Sequence, residues 1–277
     1  MNPDSSFYKH NYDGFERLAT FSSREALDRY RSNLLIKSHD ETEFIIRHIG
    51  THRLRALEFC CGNGRLLMAL AKHNALSYGL GIEMSPDRVR FSQQWITDTA
   101  VENVEFTQGD VLHFQPEGVE PFDLAICITG AFGYFRVIDP DAPDRVLENA
   151  RRALKPNGHL LLELFQLTDD FRHLLRLNDG HTRTWRPLPP SDPFAYQLDE
   201  FEYSEKTRVL KREKTFIGRD GTIDAGRAEY VADHTPSEIR EMAAGQGFSV
   251  VSTYADFADT PYQPGKASRL IQILRRT

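Results

Sequence analysis

The spacing of apolar residues changes several times along the chain, and each change marks an element. Over Ser23–Ile49, Leu27, Tyr30 and Leu34, then Phe44, Ile45 and Ile49, recur at helical spacing. This predicts a helix broken in its middle and stopped at Gly50. From Arg55 short apolar runs alternate with helical stretches. The runs Arg55–Phe59, Ser77–Glu83, Val104–Gln108, Phe122–Ile128 and His159–Leu164 read as strands. Phe122–Ile128 is nearly all apolar, as in a strand buried on both faces. Between them, Arg65–His73 carries Leu66, Leu67 and Leu70 at helical spacing. A second helix runs from Ser85-Pro86, with Ser85 as N-cap and Pro86 at its first position, to about Asp98. A third, Pro143–Leu154, closes at the turn Lys155-Pro156-Asn157-Gly158. Strand–helix alternation of this kind predicts a parallel sheet with helices on both faces.

The pattern then breaks. Phe165–Asn178 begins as helix, and Asp179–Pro193, rich in Pro, Gly and Asp, reads as loop. Phe194–Tyr230 alternates like an antiparallel meander, with a hairpin turn at Arg219-Asp220-Gly221. Thr235-Pro236-Ser237-Glu238 is a capping box that opens the helix Pro236–Ala244. Phe248–Tyr254 and Ser268–Arg275 read as two final strands.

Composition narrows the function. The 277 residues are ordinary for a soluble globular protein, and the formal net charge of −6 argues against a nucleic-acid partner, which would want a basic face. Three cysteines, Cys60, Cys61 and Cys127, make neither a disulfide framework nor a zinc spacing. With no signal-peptide-like segment and no membrane-spanning run, the expected location is the cytoplasm. No histidine spacing suits a metal, so none is expected.

The chemistry centres on Arg55–Leu70, a strand, a turn with two glycines spaced G-x-G, and a helix whose free N–H groups point at whatever the turn holds. Alone, this suits any small anionic group. A dinucleotide fingerprint would need a third glycine where Leu67 stands.

Five features in order resemble the class I S-adenosylmethionine-dependent methyltransferases. Glu58-Phe59-Cys60-Cys61-Gly62-Asn63-Gly64 looks like the family's acidic glycine loop, with Cys60 replacing its first glycine. Gly81-Ile82-Glu83-Met84-Ser85 looks like the acid closing strand two, and Gln108-Gly109-Asp110-Val111 like the acid after strand three. Phe122-Asp123-Leu124-Ala125 and Leu154-Lys155-Pro156-Asn157-Gly158-His159-Leu160 resemble two later blocks. The resemblance implies a doubly wound α/β Rossmann-like sheet, mostly parallel with a reversed C-terminal strand. Residues 1–50 are expected to form an N-terminal helical lid, 51–165 with 231–277 the core, and 166–230 an inserted antiparallel β cap.

It also implies S-adenosylmethionine as cofactor, held by Glu58, Cys60, Gly62, Asn63, Gly64, Glu83, Met84, Asp110, Val111 and Ile128. Glu83 would accept the ribose hydroxyls; Asp110 and the Val111 N–H would meet adenine. Cys60 and Cys61 read as core-lining thiols rather than a redox pair. After strand four, Ile128-Thr129-Gly130-Ala131-Phe132-Gly133-Tyr134-Phe135 resembles a segment of small-molecule N-methyltransferases. Phe132 and Tyr134 there, with Tyr8 and Tyr12 from the N-terminal segment, are the candidate catalytic residues. His173, His181 and His234 are further candidate bases, none singled out. The expected acceptor is a small molecule, an amine nitrogen first and an oxygen second, enclosed by the N-terminal aromatics and by rings of the insertion: Trp185, Phe194, Tyr196, Tyr203 and Phe216. Alternation sends half of those rings outward, where they leave a homodimer open. Three alternatives stay open: cyclisation of the cofactor's aminobutyl part, a non-catalytic binding module, and a nicotinamide dehydrogenase.

Overall fold

The computed structural model describes residues 16–50, 53–116, 118–190, 192 and 194–277. Phe7, Tyr8, Tyr12 and Phe15 lie outside the described residues. The helical spacing before Gly50 folds as α1 (Arg24–Lys37) and α2 (His39–Ile49). They break at buried Ser38, whose hydroxyl donates back to the Leu34 carbonyl at 2.9 Å and competes with the helical ladder.

Next come β1 (Leu54–Phe59), α3 (Arg65–Lys72), β2 (Leu76–Glu83), α4 (Pro86–Thr99), β3 (Val104–Gln108) and β4 (Phe122–Cys127). They are followed by α5 (Phe132–Ile138), α6 (Ala142–Ala153), β5 (Leu154–Phe165) and α7 (Asp169–Leu177). Four antiparallel strands then run in succession: β6 (His181–Pro187), β7 (Phe194–Ser204), β8 (Val209–Gly218) and β9 (Ile223–Ala232). The chain ends with α8 (Pro236–Gly245), β10 (Phe248–Tyr254) and β11 (Arg269–Arg276).

The core sheet has the order β10-β11-β5-β4-β1-β2-β3. Strands β1 to β5 pair in parallel, and β11 runs antiparallel to both neighbours, so the reversed C-terminal strand is observed. One face of the sheet buries Phe59, Phe122, Leu147 and Ile239; the other buries Phe44, Leu67, Trp95 and Phe106. Phe44, Phe91 and Phe122 are wholly buried, each contributing about 1.5–3 kcal/mol. Leu67, where a dinucleotide fold would want glycine, is wholly buried beneath the sheet.

Two local expectations are corrected. The Lys155–Gly158 turn lies inside β5, not before it. Leu154 pairs with Phe122 and His159 with Leu124, and the residues between bulge out through Asn157 at φ 63°. The expected loop 179–193 contains β6, whose polar, exposed sequence hides its pairing with β7. The segment after β4 forms a short helix, α5, which sits against β9. A Cβ at Gly133 would lie 2.5 Å from Val231 Cγ1, so glycine permits that approach.

The rings of the insertion divide as alternation requires. Trp185 and Tyr196 are exposed and Tyr203 and Phe216 are buried; the exception is Phe194, which lies across a register shift from Tyr196 and packs on Phe216 with ring centroids 4.9 Å apart. Among the described residues, no helix is long and apolar enough to cross a membrane.

Candidate active site

The site is assembled where β1, β2 and β4 end. Glu83, the last residue of β2, accepts the Gly62 N–H at Oε2 and the Ser85 N–H at Oε1, both at 2.9 Å. The turn after β1 is thereby fixed to the neighbouring strand. It runs through left-handed backbone at Cys60 (φ 55°), Gly62 (57°) and Gly64 (75°). A Cβ on Gly64 would stand 2.4 Å from Phe106 Cζ, so that glycine is fixed by packing as well as by φ. Burial pushes the Cys60 and Cys61 thiols well above their ordinary pKa, which keeps both protonated and inert.

Five further contacts, made by Arg65 and Glu16, hold the turn. Arg65 forks onto Glu41 of α2, with Nη2 2.7 Å from Oε1, and donates to Ser38 Oγ at 2.7 Å. Glu16 accepts from Arg88 Nε at 3.0 Å, from the Tyr30 hydroxyl at 2.8 Å and from the Asn63 amide. Residues from before the first strand thus clasp the glycine turn.

A cleft of about 370 Å³ opens above this turn. Glu58, Cys60, Gly62, Asn63, Glu83, Met84, Val111 and Tyr134 line it together. At its base Glu58 is buried, and its Oε2 has no partner among the described residues. Burial raises its pKa from 4.5 to about 8.

Other expected residues lie elsewhere. Gly64 serves the turn's packing. The Asp110 carboxylate accepts the Leu112 N–H at 2.9 Å and caps the short 3₁₀ turn Val111–His113, while Gly109 beside it lines the cleft. Ile128 is buried beneath the site. Phe132 does not wall the cleft: its ring is wholly buried against Phe135 and His234. Positions 132 and 135 share one face of α5, and that face meets the core, whereas Tyr134 turns to the cleft. Tyr8 and Tyr12 lie outside the described residues. His173 and His181 are exposed. His234 is buried, neither ring nitrogen has a partner among the described residues, and burial lowers its pKa to about 4.

Phe216, one of the rings expected to enclose the acceptor, lines the cleft, but sequence reasoning did not single out Thr129 or the charged residues that close it with Phe216. Thr129, just after β4, holds φ 61°, an uncommon value for a β-branched residue, with its N–H donating to Glu163 Oε2 at 2.7 Å. From the antiparallel sheet come Arg212, Lys214 and Phe216 of β8 and Glu229 of β9. Arg212 binds Asp199 with Nε–Oδ1 2.8 Å and Nη2–Oδ2 3.0 Å. Lys214 pairs with Glu229, and burial lowers the lysine's pKa. The signal was present: Leu210, Arg212, Lys214 and Phe216 alternate, so they share one face of the strand.

The donor set suits an α-amino-acid joined to a ribose. The orphaned Glu58 oxygen lacks a cationic donor, Glu83 keeps lone pairs for hydroxyls beyond its two backbone partners, and the glycine turn admits a carboxylate. Separately, His39, Glu43 and His73 gather with their ligand atoms within 4.8 Å of one another, and none of them lines the cleft.

Comparison with known proteins agrees with this geometry. Residues 51–200 match a family described as "Methyltransferase domain". Over 117 residues the chain is 34% identical to a demethylmenaquinone methyltransferase of Lactobacillus johnsonii, covering 41% of this chain and 45% of that relative. The chain therefore spans less than half the length of that curated protein. Among solved structures, the CcbJ methyltransferase from Streptomyces caelestis superposes with a TM-score of 0.71 at 18% identity, over 87% of this chain and 89% of that one. CalS10, an amino pentose methyltransferase from Micromonospora echinaspora solved with S-adenosylmethionine bound, gives 0.65 at 17% identity, over 88% and 92%. These likenesses show a shared fold.

Proposed function

The chain belongs to the methyltransferase domain family, and on that premise we propose that it uses S-adenosylmethionine to methylate a small molecule on an amine nitrogen. When bound, the cofactor supplies an electrophilic methyl group: the acceptor nitrogen's lone pair forms the C–N bond, the S–C electrons return to sulfur, and an N–H proton leaves to a base or water. In this reading Glu58 Oε2 accepts the cofactor's ammonium, Glu83 its ribose hydroxyls, and the Cys60–Gly64 turn admits its carboxylate. The Tyr134 ring stands near the cationic sulfur, where an aromatic face is favourable. Strands β8 and β9 wall the site, and positioning of this kind carries much of the barrier reduction in a displacement by an already nucleophilic amine.

The observation that carries the choice of an amine is Glu229. It is a buried carboxylate that lines the cleft, supplied by the antiparallel sheet and paired there with Lys214. A carboxylate there favours an N–H donor over a neutral ether or an anionic acceptor. That CalS10 is an amino pentose methyltransferase of the same fold supports the same choice. The demethylmenaquinone relative matches over too little of its length to lend its acceptor.

Product analysis tests the reading. Incubation with S-adenosylmethionine and a panel of primary amines should release S-adenosylhomocysteine and N-methylated product. Methylthioadenosine as the sole product would indicate cyclisation of the cofactor, and methylation only of hydroxyl acceptors would replace nitrogen by oxygen.

A further inference from the structure

Behind the cofactor cleft lies a second chamber of about 380 Å³, a size typical of small-ligand sites. Thr129, Tyr134, Arg212 and Glu229 line both spaces, so the two chambers meet at these four residues. Beyond them the character of the walls changes. The second chamber is lined mainly by Phe165, Phe171, Phe201, Leu210 and Val231, with Gln166, Thr168 and Ser268 as its polar members and Phe171 edge-on to Phe201 at 5.3 Å between centroids.

The register of the covering sheet explains the change. Cross-strand partners stand on the same face, so each row across β7, β8 and β9 can be followed. Tyr203, Leu210 and Val231 form one row, apolar apart from the tyrosine hydroxyl. The next inward-facing row is Phe201, Arg212 and Glu229, and the next begins with Asp199 and Lys214. The inward face thus passes from apolar to charged within three rows. The change falls at Arg212, whose guanidinium lies 5.6 Å from the Phe201 ring centroid. The charges on the polar side balance, Arg212 against Asp199 and Lys214 against Glu229, so the junction carries no surplus charge to draw an anionic acceptor.

From this gradient we propose that the acceptor is amphipathic: an aromatic or branched-alkyl body occupies the second chamber, and the group to be methylated passes between Tyr134 and Glu229 into the cofactor cleft. The inference rests on the methyl-transfer reading above and deepens it by naming the acceptor class. A free polyhydroxylated amine would bury most of its hydroxyls against Phe171, Phe201, Leu210 and Val231, where only Gln166, Thr168 and Ser268 add polar groups to the lining. An arylalkylamine places apolar atoms there and its N–H groups beside a carboxylate.

The test compares 3-phenylpropylamine, 4-propylphenol and glucosamine as acceptors, with S-adenosylhomocysteine release as readout. An aryl acceptor should exceed glucosamine in kcat/KM by at least about tenfold, the scale set by matching a hydrophobic pocket. Phe171 is partly exposed, so bulk can be added there. Phe171→Trp should raise the aryl acceptor's KM by about tenfold by filling the chamber, while Phe171→Leu stays within about threefold of wild type. Both should bind S-adenosylhomocysteine as wild type does in calorimetry, which also shows that they are folded. Preference for glucosamine overturns the amphipathic class and leaves the amine reading standing. Methylation of 4-propylphenol but not the amine overturns the nitrogen assignment, while sensitivity of that phenol to Phe171→Trp supports the chamber. If no probe turns over, calorimetry of each probe against the S-adenosylhomocysteine complex decides. Aryl binding that Phe171→Trp abolishes supports the proposal, and absence of aryl binding overturns it.

Discussion

The Gly62 N–H and Glu83 Oε2 lie 2.9 Å apart, so the glycine turn and the acid that closes the neighbouring strand hold one another. Glu83 thereby shapes the turn as well as offering lone pairs to a ligand. Glu83→Ala should weaken S-adenosylmethionine binding by about 1.5–3 kcal/mol, the scale of charge-assisted hydrogen bonds, and should also lower the melting temperature of the free protein. Calorimetry and a thermal melt check the two parts. Unchanged affinity would remove Glu83 from the cofactor site.

Glu58 gives the site a pH signature. Its pKa is 4.5 in an ordinary setting and about 8 in the buried base of the cleft. Between these values the folded protein holds a proton that the unfolded chain has lost, so Glu58 makes the free protein less stable as pH rises through that window. Cofactor binding in the proposed pose needs the ionised carboxylate, so S-adenosylhomocysteine affinity should rise as pH approaches about 8. Glu58→Gln should flatten both trends relative to wild type. Melts and calorimetry across the window measure them, and an unchanged slope in the variant would contradict the assignment.

Tyr134 lines both chambers. Tyr134→Ala should lower kcat by about 10²-fold, the cost of losing positioning near the reacting atoms, with a smaller change in cofactor affinity. Steady-state kinetics beside calorimetry separate the two. A loss mainly in cofactor affinity would move Tyr134 out of the acceptor site.

Gly64 tests the packing of the turn. Gly64→Ala places a methyl 2.4 Å from Phe106 Cζ at a φ of 75°. The crowding should destabilise the fold by about 1–3 kcal/mol, with left-handed strain adding to it. Denaturant unfolding measures this, and the double variant Gly64→Ala with Phe106→Leu should recover part of the loss. Wild-type stability in the single variant would show that the turn is looser than described.

What the sequence revealed and what it hid have physical causes. Strands β1 to β4 and the His159–Leu164 part of β5 were legible because each holds a short, mainly apolar run beside a turn signal. Ser85-Pro86 and the Thr235–Glu238 box announce α4 and α8, and both caps are made: Ser85 Oγ accepts the Arg88 N–H, and Thr235 and Glu238 satisfy each other's backbone N–H groups. The polar edge strand β6 has no apolar alternation to betray it. Phe132 misled because its segment suggested a lining strip, whereas a helix there sends rings 132 and 135 to the core and only Tyr134 to the cleft. The largest omission was Arg212, Lys214 and Glu229. Charged residues alternating on a strand ordinarily mark a solvated face, but here that face lines a cleft, with Arg212 and Lys214 half-buried, Glu229 buried and the charges paired.

The central claim is that the cleft above Gly62 and Glu83 holds S-adenosylmethionine with its reactive end toward the covering sheet. A crystal structure with S-adenosylhomocysteine bound tests it most directly. The account predicts the ribose hydroxyls on the Glu83 carboxylate, the ammonium on Glu58 Oε2, and the sulfur facing Tyr134. A ligand bound with its ribose away from Glu83, or with Glu58 left unpartnered, would contradict it.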